Sequence, residues 1–209
     1  NITQGKIYGC TNKGAITTKR YQAGGIAGQV QPFHSGNSTA AFMYYQKCTN
    51  EGKVTVSDGN AAGGIVGYTL VMNAVSKLTI DGCINTAAAE ISAPQYAGGI
   101  LGAEGRYSNW SRCEVINSEN HANISGKTII GGIFGGMISY TKSQGTLIDN
   151  CYNTGNVEYA DSSLTAPYAG GIAGFINNGA NNFAQNNYNS GYVRPQKGTP
   201  VTGAKMGAI

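Results

Sequence analysis

The stretch YAGGIAGFI at Tyr168–Ile176 decides the fold, because its hexad of the form small-Gly-Gly-Ile-apolar-Gly occurs five times in this chain. The other four copies are AGGIAG at 23–28, AGGIVG at 62–67, AGGILG at 97–102 and IGGIFG at 130–135. The second glycines of successive hexads are separated by 39, 35, 33 and 39 residues. Repeats of about 20–50 residues are typical of solenoids, propellers and other stacked arrays.

A second motif recurs upstream of the hexads. It reads CTNKGAI at 10–16, CTNEGKV at 48–54 and CYNTGNV at 151–157, with weaker copies at 83–91, 118–124 and 187–193. Steps of 38, 35, 35, 33 and 36 residues separate its anchoring asparagines, which are Asn12, Asn50, Asn85, Asn120, Asn153 and Asn189. The repeat therefore predicts five full units and a partial sixth, and we expect residues 1–209 to form a single repeat domain.

Each unit is predicted to contain about three strands. The first carries an apolar residue three positions before the cysteine slot, the second follows an N-x-G turn, and the hexad is the third. Asparagine and glycine suit a left-handed turn, and the paired glycines in every unit disfavour a helix. These features predict an all-β, parallel β-solenoid, right-handed because crossover connections favour that hand.

Stacked coils place equivalent residues in ladders at a spacing of about 4.8 Å. We expect the hexad isoleucines to form a core ladder, and the motif asparagines to hydrogen-bond amide to amide between coils. Both faces of the hexad strand carry only apolar side chains or glycines, which is typical of strands covered on both sides. We expect connecting loops to cover its outer face, the alternative being an exposed apolar stripe that binds a partner.

Composition excludes several classes of partner. Charged residues make up 11% of the chain, and the net charge of +4 is spread without a run of Lys or Arg, so nucleic-acid binding is not predicted. No apolar stretch approaches the ~20 residues that span a membrane. The chain does not begin with a signal peptide, and we expect it to be a mature form or a fragment of a longer surface protein.

The cysteines occupy a repeated slot. Cys10, Cys48, Cys83 and Cys151 stand at equivalent positions, where Ser118 and Asn187 stand in the other units. We expect a ladder of small, partly buried residues, with disulfides between coils as the alternative and Cys113 as a lone thiol. No C-x-x-C motif or nearby histidine supports zinc, so neither a metal site nor a cofactor is predicted.

No catalytic motif stands out. Glu104 and Glu114 are the one pair that could act as glycosidase carboxylates, and no G-x-S-x-G elbow is present. His34 and His121 lie in different units and are expected at the surface or in loops. We therefore predict a non-enzyme without catalytic residues, with a carbohydrate-active β-helix enzyme as the alternative.

The segments that join each hexad to the next unit vary in length. They contain most of the large aromatic residues that do not belong to the two repeated motifs. In repeat proteins such insertions cluster on one side and often bind, and aromatic rings beside polar groups suit sugars or protein partners. The candidate ligand-binding residues are Tyr44, Tyr45, Arg106, Tyr107 and Trp110. The alternative is that these aromatics fold back as a second layer over the hexad strand.

The hexads and the C-x-N-x-G-x-V motif resemble the GLUG-type repeats of bacterial surface and secreted proteins, with isoleucine here in place of leucine. The phrase CTNKGAI…AGGIAG is most similar to repeats in Bacteroidetes-like surface adhesins. The resemblance covers nearly the whole chain and implies a solenoid located outside the cell or on its surface. Similar repeats flank some IgA-cleaving metallopeptidases, but the H-E-x-x-H motif is absent here and no protease activity is implied.

The sequence thus predicts a secreted, non-catalytic β-solenoid module that adheres to a host or microbial glycan or to a surface protein through its variable loops. A purely structural stalk or spacer, whose ends contact neighbouring repeats, is a further alternative.

Overall fold

The repeat folds as a stack of coils in which equivalent residues lie side by side. A computed structural model of the protein describes residues 2–32, 40–71, 76–106, 112–138, 145–160, 167–177, 182–196 and 205–207. Within these ranges every regular element is a β-strand, and neighbouring strands pair in parallel. The predicted all-β, parallel β-solenoid is therefore confirmed.

Five strands make up each of the first three coils. The first coil contains β1 (Ile2–Tyr8), β2 (Thr11–Asn12), β3 (Ile16–Thr18), β4 (Gln22–Gly24) and β5 (Ala27–Val30). The second contains β6 (Ala40–Gln46), β7 (Thr49–Asn50), β8 (Val54–Val56), β9 (Ala61–Gly63) and β10 (Val66–Val71). The third contains β11 (Lys77–Asp81), β12 (Ile84–Asn85), β13 (Glu90–Ala93), β14 (Tyr96–Gly98) and β15 (Leu101–Arg106).

The remaining coils follow the same order. The fourth contains β16 (Arg112–Ile116), β17 (Glu119–Asn120), β18 (Asn123–Gly126), β19 (Ile129–Gly131) and β20 (Phe134–Met137). The fifth contains β21 (Thr146–Asp149), β22 (Tyr152–Asn153), β23 (Val157–Tyr159), β24 (Tyr168–Gly170) and β25 (Ala173–Phe175). The described part of the sixth contains β26 (Phe183–Gln185), β27 (Tyr188–Asn189), β28 (Val193–Pro195) and β29 (Lys205–Gly207).

Equivalent strands pair into five sheets, which we number 1 to 5 in the order in which each coil passes through them. Sheets 1 to 4 have six strands and sheet 5 has five, as expected for five full coils and a partial sixth. The structure has five strands per coil rather than about three, for two reasons. The asparagine motif forms a two-residue strand of its own, and the hexad bends, so that β4 ends at Gly24 and β5 begins at Ala27.

The bend in the hexad explains why both of its faces are apolar. The first core lies between sheets 1 and 5 and contains Ile65, Val66, Ile100 and Leu101. The second core lies between sheets 3 and 4 and contains the hexad alanines, such as Ala62, with the sheet 3 residues. The hexad therefore packs into the second core before its bend and into the first core after it. The expectation that connecting loops cover an outer hexad face was wrong, because the coil itself buries both sets of residues.

A buried column of asparagine side chains separates the two cores. From Asn12 to Asn189, each Nδ2 donates to the Oδ1 of the asparagine in the next coil, with five such bonds of 2.7–2.8 Å. Asn120 shows the complete pattern: its Nδ2 also donates to the carbonyl of Ala122 at 2.9 Å, and its Oδ1 accepts from the amide of Ala122 at 3.3 Å. An amide side chain has two donor and two acceptor positions, and all four are used. The predicted asparagine ladder is confirmed.

The left-handed turn lies at a different position from the one predicted. The N-x-G residues do not have positive φ angles, since the ladder asparagines lie within strands of sheet 2. Positive φ angles occur instead directly before the cysteine slot, at Gly9, Lys47, Gly82, Asn117, Asn150 and Asn186. The residue before the cysteine slot therefore makes the corner between sheets 1 and 2.

The hexad glycines are required by close backbone approach. A Cβ atom on Gly64 would overlap the carbonyl oxygen of Gly99 and lie 2.5 Å from Cγ of Asn85. A Cβ atom on Gly67 would overlap the carbonyl oxygen of Ala23 in the preceding coil. Any larger side chain at these positions would separate the coils or displace the asparagine column.

We predict that Asn85→Ala lowers the free energy of unfolding by about 2–5 kcal/mol, because it leaves buried partners in two coils without a hydrogen bond, at about 1–3 kcal/mol each. Asn12→Ala, in the same column but partly exposed, is the matched control and should lose less. Urea denaturation followed by circular dichroism measures both. Equal losses in the two variants would contradict a special role for the buried column.

A second prediction concerns the third glycine of the hexad. Gly67→Ala should lower the urea midpoint markedly, since overpacking typically costs about 1–3 kcal/mol and backbone atoms cannot move aside easily. Gly28→Ala is the matched control, because its Cβ would meet nothing closer than the carbonyl oxygen of Gln22 at 3.3 Å. Equal midpoints for the two variants would show that coil spacing does not depend on this glycine.

Candidate functional site

The segments that join sheet 5 to sheet 1 differ in length and sequence between repeats. They comprise residues 31–39, 72–76, 107–111, 138–145 and 176–182, and we call the edge that they share the variable edge. Because the strands are stacked in register, each segment leaves the same edge of sheet 5 and returns to the same edge of sheet 1. Insertions of this kind, clustered on one side of a repeat array, often carry its binding function.

The outer face of sheet 1 adjoins the variable edge. One row of outward side chains, Gln4, Phe42, Lys77 and Arg112, lies nearest that edge, and the next row contains Lys6, Tyr44, Thr79 and Glu114. Met43, Leu78 and Cys113 form the row between these two, and Ile7, Tyr45, Ile80 and Val115 form the row that follows. Both of these rows pack into the first core. This alternation is the normal consequence of a strand's two-residue period. We call the two outward rows together the sheet 1 face.

An ion-pair cluster organises the sheet 1 face. The carboxylate of Glu114 is almost fully buried, and its Oε2 lies 3.0 Å from Nζ of Lys77. The hydroxyl of Thr79 donates to the same oxygen at 3.3 Å, and Nε of Arg112 lies 3.9 Å from Oε1. The cluster orients two cations beside the variable edge.

Tyr44 lies in an open groove on the same face. The groove has a volume of about 410 Å³ and is lined by Gln4, Gly5, Lys6, Tyr44 and Gln46. Tyr44 is half-buried, so part of its ring is accessible, and amide and ammonium groups stand beside it. An aromatic ring with adjacent donors and acceptors can stack on a sugar or hold a side chain of a protein partner.

The structure separates the predicted ligand-binding residues. Tyr44 belongs to the sheet 1 face, whereas Tyr45 is only 6% exposed and faces the first core in register with Ile7 and Ile80. Burial, together with the nearby Cys48 thiol, raises the pKa of the Tyr45 hydroxyl. Tyr45 is therefore a core residue, and its assignment to a ligand-binding surface was wrong.

Of the other predicted ligand-binding residues, the structure describes only the backbone of Arg106. Arg106 ends β15 and is in register with Val71. Tyr107 and Trp110 fall outside the described residues, as does the side chain of Arg106. Sequence reasoning missed Lys77, Arg112 and Gln4 as candidate binding residues. The two-residue alternation of the strands, applied from Tyr44, could have indicated that they face outward beside it.

The two candidate carboxylates are not brought together. Glu104 is fully buried and accepts a hydrogen bond of 2.6 Å from the hydroxyl of Thr146 in the interior of the solenoid. Thr146 is in register with Cys113, which precedes Glu114 in β16 and points to the opposite side of sheet 1. The two carboxylates thus lie on opposite sides of one sheet. They do not face each other across a groove, as a glycosidase pair must.

The described histidine has a structural role. Nδ1 of His121 lies 2.7 Å from the hydroxyl of Thr154, and Nε2 lies 3.0 Å from the carboxylate of Glu119. His34 lies outside the described residues. In the part of the chain that the structure describes, no three His, Cys, Asp or Glu side chains converge as metal ligands would.

The cysteine slot forms the expected ladder of thiols. None of the five cysteines is in a disulfide, with Cys10 exposed and the other four buried. Burial raises the pKa of Cys83 and of Cys151 to about 12, and it also raises the pKa of Cys48. Cys113 lies off the ladder and faces the first core. These thiols act as small core residues.

A second groove lies at the corner between sheets 3 and 4. Its volume is about 230 Å³, and its lining is mainly small, with Ser92, Ala93 and Ser125 at its centre. Thr17 and Thr55 are in register, as are Ser92 and Ser125, so hydroxyl groups recur along four coils. Among the described residues that line this groove there is no aromatic side chain, which makes the sheet 1 face the stronger candidate for binding.

No family model, curated protein or solved structure matches this chain. Among the described residues there is no helix long and apolar enough to cross a membrane.

We predict that one thiol of the native protein reacts rapidly with Ellman's reagent at neutral pH, and that the other four react only after unfolding. The thiolate is the reactive form, and burial both hides the sulfur atoms and disfavours ionisation. Cys10→Ser should abolish the rapid reaction, whereas Cys83→Ser should leave it unchanged. Rapid labelling of Cys48 or Cys83 in the folded protein would contradict the buried ladder.

Proposed function

We propose that this chain is a non-catalytic β-solenoid module of a bacterial cell-surface protein, located outside the cell, which binds a glycan or a surface protein. Binding takes place along the variable edge and the adjoining sheet 1 face. The observation that carries the proposal is the alignment, on one edge, of the strand ends that bound all five connections between sheets 5 and 1, beside a face that holds Tyr44, Lys77 and Arg112.

The division of the coil into constant and variable parts supports this function. The asparagine column, the hexad glycines and the described buried residues of both cores lie outside the variable connections, from which Ile176 packs against the first core. Sequence changes at the variable edge therefore leave the ladder contacts intact, and a binding surface can diversify on a constant scaffold. Solenoid proteins commonly use an extended surface of this kind.

The chemistry of the sheet 1 face favours a polar ligand. Lys77 and Arg112 offer cationic donors, Gln4 and Gln46 offer amides, and Tyr44 and Phe42 offer partly accessible aromatic rings. Aromatic residues and arginine are enriched at the energetic centres of interfaces. The resemblance of the repeat to GLUG-type surface repeats supports the same setting, with host or microbial glycans as the first candidates.

A carbohydrate-active enzyme is the weaker alternative, because no observation on the described residues favours it. The one candidate pair of carboxylates is divided by sheet 1, with Glu104 in the interior. A structural stalk remains an outcome of the binding experiment described next.

The test is an array of host-type and microbial glycans probed with the wild-type chain and with Tyr44→Ala and Trp110→Ala. Loss of an aromatic anchor typically removes about 1–2 kcal/mol or more, which corresponds to roughly tenfold or greater weakening. Tyr152→Ala is the matched control, since Tyr152 is exposed on sheet 2, away from the variable edge. We expect Tyr152→Ala to bind like the wild type.

Two outcomes would contradict this proposal. Binding to a glycan that neither Tyr44→Ala nor Trp110→Ala weakens would place the site elsewhere on the molecule. The absence of binding to any glycan, or to surface extracts of host cells, would favour the structural stalk.

A further inference from the structure

The sheet 1 face carries an excess of positive charge. Its two outward rows present three cations against one carboxylate, and these residues are Lys6, Lys77, Arg112 and Glu114. Asp81 lies in the next outward row, outside this face, and its two oxygens accept hydrogen bonds from the side chains of Gln46 and Asn117 at 3.1 and 2.9 Å. The face therefore has a net excess of two positive charges.

The outer faces of sheets 2 and 3 lack this excess in coils two to four, where the structure describes all of their strands. Sheet 2 presents Thr49, Ile84 and Glu119 there, with no cation. Beside sheet 3, Lys53 lies 2.7 Å from the carboxylate of Glu90 in the next coil, so the two charges cancel. The cationic character of the sheet 1 face is therefore not repeated on these faces.

Glu114 holds two of the cations in place but leaves most of their donors available. Its side chain is only 12% exposed, whereas that of Arg112 is 56% exposed. The carboxylate contacts Nζ of Lys77 at 3.0 Å and Nε of Arg112 at 3.9 Å, and among the described residues neither cation has another partner. A guanidinium has five N–H donors and an ammonium has three. Both Nη groups of Arg112 and two N–H groups of Lys77 are thus left for a ligand.

Two aromatic rings lie beside these cations. Phe42 is in register with Lys77 on the neighbouring strand, and Tyr44 stands two residues further along the strand from Phe42. Strands are about 4.8 Å apart and two residues span about 6.6 Å along a strand, so the Cα atoms of Tyr44 and Lys77 are about 8 Å apart. Both rings are half-buried, and part of each is accessible. One ligand can therefore contact a ring and a cation together.

We infer that the sheet 1 face selects acidic glycans. Arg112 and Lys77 bind the carboxylate of a sugar residue, and the sugar rings pack against Tyr44 and Phe42. The planar donor fork of arginine matches a carboxylate with two parallel hydrogen bonds, and a face of one charge sign favours a ligand of the other. The rings favour a sugar over an acidic peptide, because a run of carboxylates without sugar rings gives them nothing to cover. This inference rests on the proposed function and adds the charge class of the ligand.

The test compares a charged sugar with a neutral one of the same ring structure. Trigalacturonate and its methyl ester differ only in the charge of their carboxyl groups, and sialyllactose and lactose form a second, host-type pair. Isothermal titration calorimetry measures the affinity of the wild-type chain for each. We expect the acidic member of a pair to bind at least tenfold more tightly. The difference should shrink at an ionic strength of about 1 M, where the Debye length is about 3 Å.

Substitution of Arg112 tests the assignment of the residue. Arg112→Gln should weaken trigalacturonate binding by about ten- to hundredfold, because hydrogen bonds between charged groups are lost, and should leave binding of the methyl ester unchanged. Arg112→Lys keeps the charge without the planar fork and should bind with intermediate affinity. Lys53→Gln is the matched control, since it removes an exposed cation that is also paired with a carboxylate, away from the sheet 1 face. It should bind like the wild type, and circular dichroism checks that each variant is folded.

The possible failures are distinguishable. Equal binding of acid and ester, with both weakened by Tyr44→Ala, would leave the proposed binding function standing and overturn the selectivity. Equal losses from Arg112→Gln and Lys53→Gln would show that the overall charge of the chain, and not this face, attracts the anion. Poly-L-glutamate binding as tightly as trigalacturonate would indicate an acidic protein partner and overturn the choice of a glycan. Absence of binding to any glycan would overturn this inference and the proposed function together.

Discussion

The buried asparagine column is the interaction on which the rest of the solenoid depends. Each interior amide uses its donors and acceptors on two neighbouring coils and on its own backbone. Such a buried amide is stable only while every partner is in place, because an unsatisfied buried polar group costs about 1–3 kcal/mol. A slip of one residue would bring a different side chain to this position, so the column sets the register of all five sheets. The hexad glycines follow from it, since only a bare backbone lets Asn85 pack beside Gly64.

The column also divides the cross-section into two cores with different contents. The first core contains side chains such as Ile100, Leu101 and Phe134, and the second contains many alanines, such as Ala62, together with Ile91 and Tyr159. A polar wall between two apolar regions keeps each coil in one arrangement, because neither core can merge with the other without breaking the ladder. The described parts of the variable connections contribute only local contacts to this arrangement, such as Ile176 against the first core and the Ser76 hydroxyl, which accepts from the amide of Ala41. The residues that repeat in every coil are the ones that build the column and the two cores.

Charge plays a secondary role. Ion pairs between neighbouring coils are mostly exposed, and exposed pairs contribute little stability. They join Lys13 to Glu51, Lys53 to Glu90 and Arg194 to Glu158, each across one boundary between coils. Glu114 shows the same chemistry put to another use, since its pairing with Lys77 orients groups on the sheet 1 face.

The sequence by itself determined the period, the number of coils, the asparagine ladder and the stacking of the hexad isoleucines. These features repeat in every unit, and the same residue types recur wherever neighbouring coils must match. Tertiary structure alone decided features that depend on the direction of the chain within one coil. The bend in the hexad sends its two halves into different cores, and the left-handed corner falls on residues as unlike as Lys47, Gly82 and Asn117. Side-chain direction also separates Tyr44 from Tyr45, because in a strand a shift of one residue reverses the facing side. It likewise directs Glu104 of sheet 5 into the interior and Glu114 of sheet 1 to the outer face.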